Sequence, residues 1–421
     1  MEKFFLQANK KLLFLISLGA ILEYYDFAIY IYLAPLIGKS LIPATNPTTN
    51  LILSYAVFAI GAFFRPLGGI IFSHFGDKFG RSKTFIYTIL CMAIPTFGIA
   101  FIPNVMQIGI FATIILLVLR VFQGFAIGGE VPGSIVFGYE ISEPKRKAFN
   151  SAIVILGVNL GFILASIVCA IILKTHTFTF AMWRIAFFLG GIFGICSYFL
   201  RKKITETPEF LDYKKVLSND TIPIKILFLE YKKETWQILS IIMFLAASLA
   251  VFTFYMPTYL NVNYHLPLAK LMEFNSYTIF IFCIGSLIAG VFDQIFNRRF
   301  FLYFIPCFIL GVIFLFFSYS KLTLEQILYI HIVFLLALGI VCGRVPVLCA
   351  TFFPVKVRYS GVAIVYNISF GVIAGLTQLI LTWLIHVTDI VWIPALYICV
   401  FAVLAFFSVL SITATRFVNY A

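Results

Sequence analysis

The chain is a succession of long apolar stretches separated by short polar ones. Continuous apolar runs occupy about 12–37, 51–73, 84–102, 106–139, 148–173 and 184–200, then 236–260, 273–293, 300–319, 324–352, 359–386 and 391–414. An apolar helix of about 20 residues crosses roughly 30 Å of hydrocarbon, and only helices or closed barrels satisfy their own backbone groups in lipid. The alternating segments of a barrel are absent. The pattern therefore predicts an all-α membrane protein of twelve transmembrane helices in two sets of six. Residues 201–235 are the longest polar segment. They divide the chain into an N-terminal six-helix bundle over 1–200, a cytoplasmic linker over 201–235 and a C-terminal bundle over 236–421.

Composition agrees and removes alternatives. Of the 421 residues, 62% are hydrophobic and only 11% charged, where a soluble domain carries about a quarter charged residues. A net charge of +13 suggests nucleic acid until the positions of the charges are examined. With the N-terminus in the cytoplasm, 22 of the 30 Lys and Arg fall on the cytoplasmic side, five fall opposite, and Arg65, Arg120 and Arg344 lie within spans. That bias places both termini inside and explains the basic balance without nucleic acid. Eight cysteines stand singly in apolar runs, with no Cys-x-x-Cys pair, and read as free thiols. The first apolar run holds Glu23 and Asp26 and lacks a small-residue cleavage site, so it reads as a retained span.

A faint internal echo supports two related halves. YEISEPKRKAFNSA at 139–152 and TFFPVKVRYSGVA at 351–363 each combine a helix end, a proline, a basic cluster and a new helix. Two such halves packed face to face enclose a cavity near the bilayer midplane, and rocking exposes it to each side in turn. GAILEYYDFAIYIYLAP at 19–35, FRPLGGIIFSHFGDKFGRSKT at 64–84, RVFQGFAIGGEVPGS at 120–134, ETPEF at 206–210 and FFPVKVRYSGVAIVYN at 352–367 together resemble the major facilitator superfamily. More narrowly, the chain resembles its metabolite:proton symporters, carriers of osmolytes, dicarboxylates and shikimate. The family's usual glycine before the loop aspartate is Ser73 here, and the later basic residue is displaced to Lys83. The resemblance implies the twelve-helix major facilitator fold and secondary transport of a small metabolite.

An ionised side chain at the bilayer centre costs about 2.5–3.5 kcal/mol or more, so each buried charge should face a cavity and a partner. Glu23 and Asp26 share one face of the first helix with Tyr30 a turn further on. Asp26 and Arg120 each lie about 20 Å deep from opposite surfaces, at overlapping depth, and are expected to form an ion pair. The resemblance matches them to the first-helix Asp and fourth-helix Arg of proton-coupled sugar carriers. The expected mechanism is proton-coupled symport, in which protonation breaks the pair. The structural alternative is that the pair joins two helices. Glu130 is either a second proton site or a hydrogen-bonding carboxyl, and Glu23 is similarly open, with Arg65 a possible partner. Arg344 is expected to capture a carboxylate or else to pair with Asp26 or Glu130.

Tyr30, Gln123, Asn159, Tyr255, Tyr259, Asn367 and Gln378 are the remaining candidates for the solute site, with interhelical bonding or an interfacial position as the alternative for each. Phe254, Tyr255 and Tyr259 surround Pro257, where a kink is expected. Asp77 with Arg81, Glu140 with Arg146, and Lys356 with Arg358 resemble the superfamily's cytoplasmic gate; plain positive-inside topology explains them as well. No histidine pair shows metal-ligand spacing. The proton gradient is the driving force and no cofactor is expected. The partners are protons, a small solute and the bilayer, with a functional monomer in the bacterial inner membrane. An antiporter or exporter on the same fold is the main rival. A membrane-embedded enzyme lacks any H-E-x-x-H, G-x-S-x-G or nucleotide-binding loop, and a transporter-like sensor would carry a long cytoplasmic extension.

Overall fold

The computed structural model describes residues 2–44, 46–79, 81–143, 146–174, 182–202, 223–292, 295 and 297–412, and within them describes only the backbone of 2–12, 74–79, 81–83, 85–86, 200–201, 223, 320, 324 and 356. In chain order the helices are α1 (Glu2–Leu41), α2 (Pro47–Phe63), α3 (Arg65–Phe79), α4 (Arg81–Ala100), α5 (Val105–Ile108), α6 (Phe111–Glu140), α7 (Lys147–Lys174) and α8 (Met182–Arg201). They continue with α9 (Pro223–Glu230), α10 (Lys232–Leu249), α11 (Met256–Tyr264), α12 (Leu268–Val291), α13 (Arg298–Ser318), α14 (Leu324–Phe352), α15 (Val355–Tyr366), α16 (Ala374–Thr388) and α17 (Ile393–Ser411). Among the described residues, eleven helices are long and apolar enough to cross a membrane, and Tyr87–Ala100 is a shorter apolar helix at the third span. The twelve spans form two pseudo-symmetric bundles of six.

Several span boundaries are chemical. Asn46 caps α2 by accepting from the Thr49 amide at 2.7 Å, with Pro47 following. Thr323 and Gln326 form a capping box at the start of α14. The second span is interrupted at Phe64, because Pro66 has no amide hydrogen to continue the ladder. That interruption sets the position of Arg65. The helix on which Arg120 and Glu130 lie then approaches at backbone distance: a Cβ on Gly124 would fall on the carbonyl oxygen of Gly61, and one on Gly128 on that of Arg65.

Two spans depart from α geometry. Ala250–Tyr255, between α10 and α11, and Asn367–Ile373, between α15 and α16, are π-helical turns. The kink expected at Pro257 is thus made by a π turn just before it, with the proline opening the next helical segment. The polar stretch over 201–235 contains α9, whose Leu227 is fully buried, and the helix of the seventh span begins at Lys232.

The two bundles meet at both ends. On the side poor in Lys and Arg, Tyr55 Oη donates to Thr258 Oγ1 at 3.1 Å, and Asn275 Nδ2 donates to Tyr32 Oη at 3.0 Å. An exposed ion pair, Lys174 to Glu273 at 2.6 Å, joins α7 to α12 there. On the basic side, Tyr359 Oη donates to the Gly129 carbonyl at 2.8 Å and Asn367 Nδ2 to that of Gly128 at 2.7 Å. The space left between these closures is where the site lies.

Candidate functional site

A cavity lined by residues of both halves lies between the bundles. Six of its fifteen lining residues are aromatic: Tyr24 and Phe27 come from α1, Phe162 from α7, Phe254 and Phe370 from the two π turns, and Tyr366 from the end of α15. The rings pack on one another, with Phe162 to Phe254 at 4.9 Å, Tyr24 to Phe162 at 5.1 Å and Tyr366 to Phe370 at 4.6 Å between centroids. Tyr24 and Tyr366 join their hydroxyls across the bundles at 3.0 Å. Each π turn therefore places a ring on the wall that a regular helix would carry round to another face.

Arg65 is the cationic group on this wall. It is 1% exposed, its guanidinium lies 5.3 Å from the Phe27 ring centre, and Nη1 donates to the Phe370 carbonyl at 3.4 Å. Nε and Nη2 make no hydrogen bond within the protein. A buried guanidinium with open donors is unfavourable unless an anion or water completes it, and its planar fork matches a carboxylate. Aromatic faces attract alkylated ammonium groups. One cavity thus offers complementary surfaces for the two ends of a zwitterion.

A second, smaller cavity lies within the N-terminal bundle, and Glu23, Asp26 and Glu130 all line it, with Thr96 and Ser197. All three carboxyls are buried. Asp26 Oδ2 accepts from Thr96 Oγ1 at 2.7 Å and from Gln123 Nε2 at 2.9 Å, while Oδ1 has no hydrogen-bond partner. Thr96 has one hydroxyl proton and a second acceptor in reach, the Met92 carbonyl at 2.9 Å, and Gln123 Nε2 also reaches Thr96 Oγ1 at 2.7 Å. An ionised Asp26 takes the Thr96 proton; a neutral one donates its own to Thr96, which turns to Met92. The network accommodates either protonation state without moving a backbone. Helix α1 serves both cavities, presenting Glu23 and Asp26 to one and Tyr24 and Phe27 to the other.

The structure corrects several expectations. Asp26 and Arg120 are close enough for their charges to interact but do not form an ion pair; the guanidinium carbon lies over the Tyr30 ring, 3.7 Å from its centre. Tyr30 also donates to the Ser54 carbonyl at 3.1 Å, so Tyr30 and Gln123 belong to the charged cluster and not to the solute wall. Of the residues expected on that wall, Asn159 lines the cavity. Arg344 is buried off it, although its neighbours Cys342 and Val345 face it. Tyr259 donates to the Val391 carbonyl at 2.8 Å, and Tyr255 packs against Tyr259. Asn367 is committed to Gly128, and Gln378 is buried one turn beyond the cavity-lining Ala374. Arg65, Tyr24 and Tyr366 were missed as cavity-facing groups; for Arg65 the signal was its place inside a span beside Pro66.

At the expected gate, Glu140 pairs across the bundles with Arg358 at 3.4 Å, and Arg358 Nε also donates to the Ala350 carbonyl at 2.8 Å. Arg146 lies instead against Glu143 at 3.8 Å. The side chains of Asp77, Arg81 and Lys356 fall outside the described residues. Among the described residues no cluster of His, Cys, Asp and Glu is suited to a metal ion.

The family model for the Major Facilitator Superfamily matches residues 16–378. The proline/betaine transporter of Salmonella typhimurium is 32% identical over 95% of this chain and 82% of its own length. The glycine betaine/proline/ectoine/pipecolic acid transporter OusA of Dickeya dadantii is 31% identical over 92% of this chain and 80% of its own. In fold, the chain is similar to the proton:xylose symporter XylE bound to 6-bromo-6-deoxy-D-glucose, with a TM-score of 0.75 at 14% identity over 96% of this chain and 94% of that one.

Proposed function

Since the chain belongs to the major facilitator superfamily and is therefore a secondary transporter and not an enzyme, we propose that it couples proton influx to uptake of a small zwitterion of the betaine and proline class. The observation that carries this reading is Arg65, buried with open donors in an aromatic-walled cavity between the bundles. The solute carboxylate docks on Arg65 through a forked, charge-assisted contact, and its alkylated nitrogen rests against the faces of Phe27, Phe162 and Phe254. The names of the curated relatives support the same class.

Coupling runs through the acidic cavity. A proton from outside neutralises Asp26, solute binds, the outer contacts close, and opening of the Glu140–Arg358 side releases solute and then the proton to the cytoplasm. Glu23 and Glu130 share the wall with Asp26. The working unit is a monomer in the bacterial inner membrane, and the distribution of Lys and Arg supports an orientation with both termini inside.

The test is uptake of radiolabelled glycine betaine into proteoliposomes. Acidifying the outside should produce accumulation above the external concentration, and proline and ectoine should compete. An exporter would accumulate solute under the opposite gradient. Exchange without any response to pH would remove proton coupling, and preference for a sugar or a dicarboxylate would remove the substrate class.

A further inference from the structure

The charged cluster in the N-terminal bundle holds its two members apart in an unusual way. Arg120 is 3% exposed, and its Nε and Nη2 make no hydrogen bond within the protein. Its guanidinium is nevertheless well placed, 3.7 Å above the Tyr30 ring, with Phe58 and Phe187 at 5.9 and 5.8 Å closing the sides. Tyr30 is itself fixed, donating to the Ser54 carbonyl and stacked on Phe58. Asp26, one helical turn away on the same face, has its Oδ2 engaged by Thr96 and Gln123 instead. Gln123 is three residues from Arg120 on α6, so one helix face presents both the amide that now bonds the carboxyl and the cation that does not.

We propose that Tyr30 is the resting place of the Arg120 guanidinium in the proton-loaded carrier, a positioning residue that competes with Asp26 for the arginine and thereby sets the pH at which coupling occurs. This rests on the proton-coupled reading given above. When Asp26 is ionised, the guanidinium swings towards it. When Asp26 is neutral, that attraction is lost and the electron-rich ring face is the best remaining site for a desolvated cation. A stronger ring favours release of Asp26, and a weaker one leaves the arginine on the carboxylate and favours its ionised form. The other titratable groups around the pair are Glu23 and Glu130 on the same cavity wall, Tyr25 on α1 beside Asp26, and Tyr55 on α2 beside Tyr30. With these groups left in place throughout, the test varies only the ring.

The experiment replaces Tyr30 with phenylalanine and then with mono-, di- and trifluorophenylalanine, which keep the shape while draining the ring face of charge, and adds Tyr30→Leu. Proteoliposome uptake of glycine betaine is measured across external pH. Relative to Tyr30→Phe, the pH of half-maximal uptake should fall stepwise with fluorination and by about one unit in Tyr30→Leu, with the maximal rate recovered at acid pH. The fluorinated series keeps the test valid if Tyr30→Leu does not fold. Identical pH profiles across the series, in protein whose parent form accumulates solute under a pH gradient, would overturn the proposal. A parent protein that shows no gradient-driven accumulation would instead overturn the coupling reading itself.

Discussion

Arg65 and Asp26 are buried in different settings: one is a cation with open donors facing the cavity between the bundles, the other a carboxyl held by two neutral donors in a separate cavity. Arg65→Lys replaces a planar fork with a point charge, and should raise KM for zwitterions about 10- to 100-fold, as expected for losing charge-assisted hydrogen bonds. The readout is uptake kinetics, and an unchanged KM would remove Arg65 from the solute site. Asp26→Asn keeps the contacts to Thr96 and Gln123 within reach of an amide but cannot release a proton. It should retain exchange of labelled for unlabelled solute and lose accumulation against a gradient. These single-residue roles were only half legible in the chain. Sequence gives depth, because each residue adds about 1.5 Å along a helix. It does not give the direction a side chain faces once helices tilt and pack. Arg65 and Arg344 are both deep arginines; only the packing separates the one on the cavity wall from the one behind it.

Among the elements, the close pairing of α2 and α3 with α6 and the two π turns do most to form the site. Gly124→Val would drive a branched side chain into the carbonyl of Gly61, and overpacking of that kind costs about 1–3 kcal/mol. Detergent-purified protein should melt several degrees lower, with uptake reduced in parallel. Deleting one residue from Ala250–Tyr255 restores α geometry and rotates everything before it by about 100°. Phe254 and Leu249 would then no longer face the same cavity, so transport should fail although the protein still reaches the membrane. Length and hydropathy made the spans readable, since crossing a bilayer demands both. The π turns leave no compositional trace, because the extra residue is accommodated by neighbouring helices and not by its own side chain.

At the scale of the whole molecule, each side closes with two buried cross-bundle hydrogen bonds and an ion pair, and the two ion pairs differ in burial. The basic side combines the Glu140–Arg358 pair, whose side chains are 1% and 12% exposed, with two buried bonds to the Gly128 and Gly129 carbonyls. The opposite side includes the Lys174–Glu273 pair, about half exposed and so open to screening by salt. Arg358→Gln removes the guanidinium that reaches Glu140 across the bundles and should favour opening on the basic side. Cys342, on the cavity wall, is a native reporter. Its alkylation in inside-out vesicles, followed by mass spectrometry, should accelerate at least about tenfold. No change in that rate would mean that the pair does not latch the bundles.

The first helix carries a further implication. Residues 23 and 26 address the compartment inside one bundle, while 24 and 27 address the compartment between the two. A single rigid rod thus has a different passenger on each flank, and no roll of that rod can be felt by only one of them. Faithful stoichiometry would then be a mechanical property of one segment, and variants that soften it should slip, letting protons leak through without cargo.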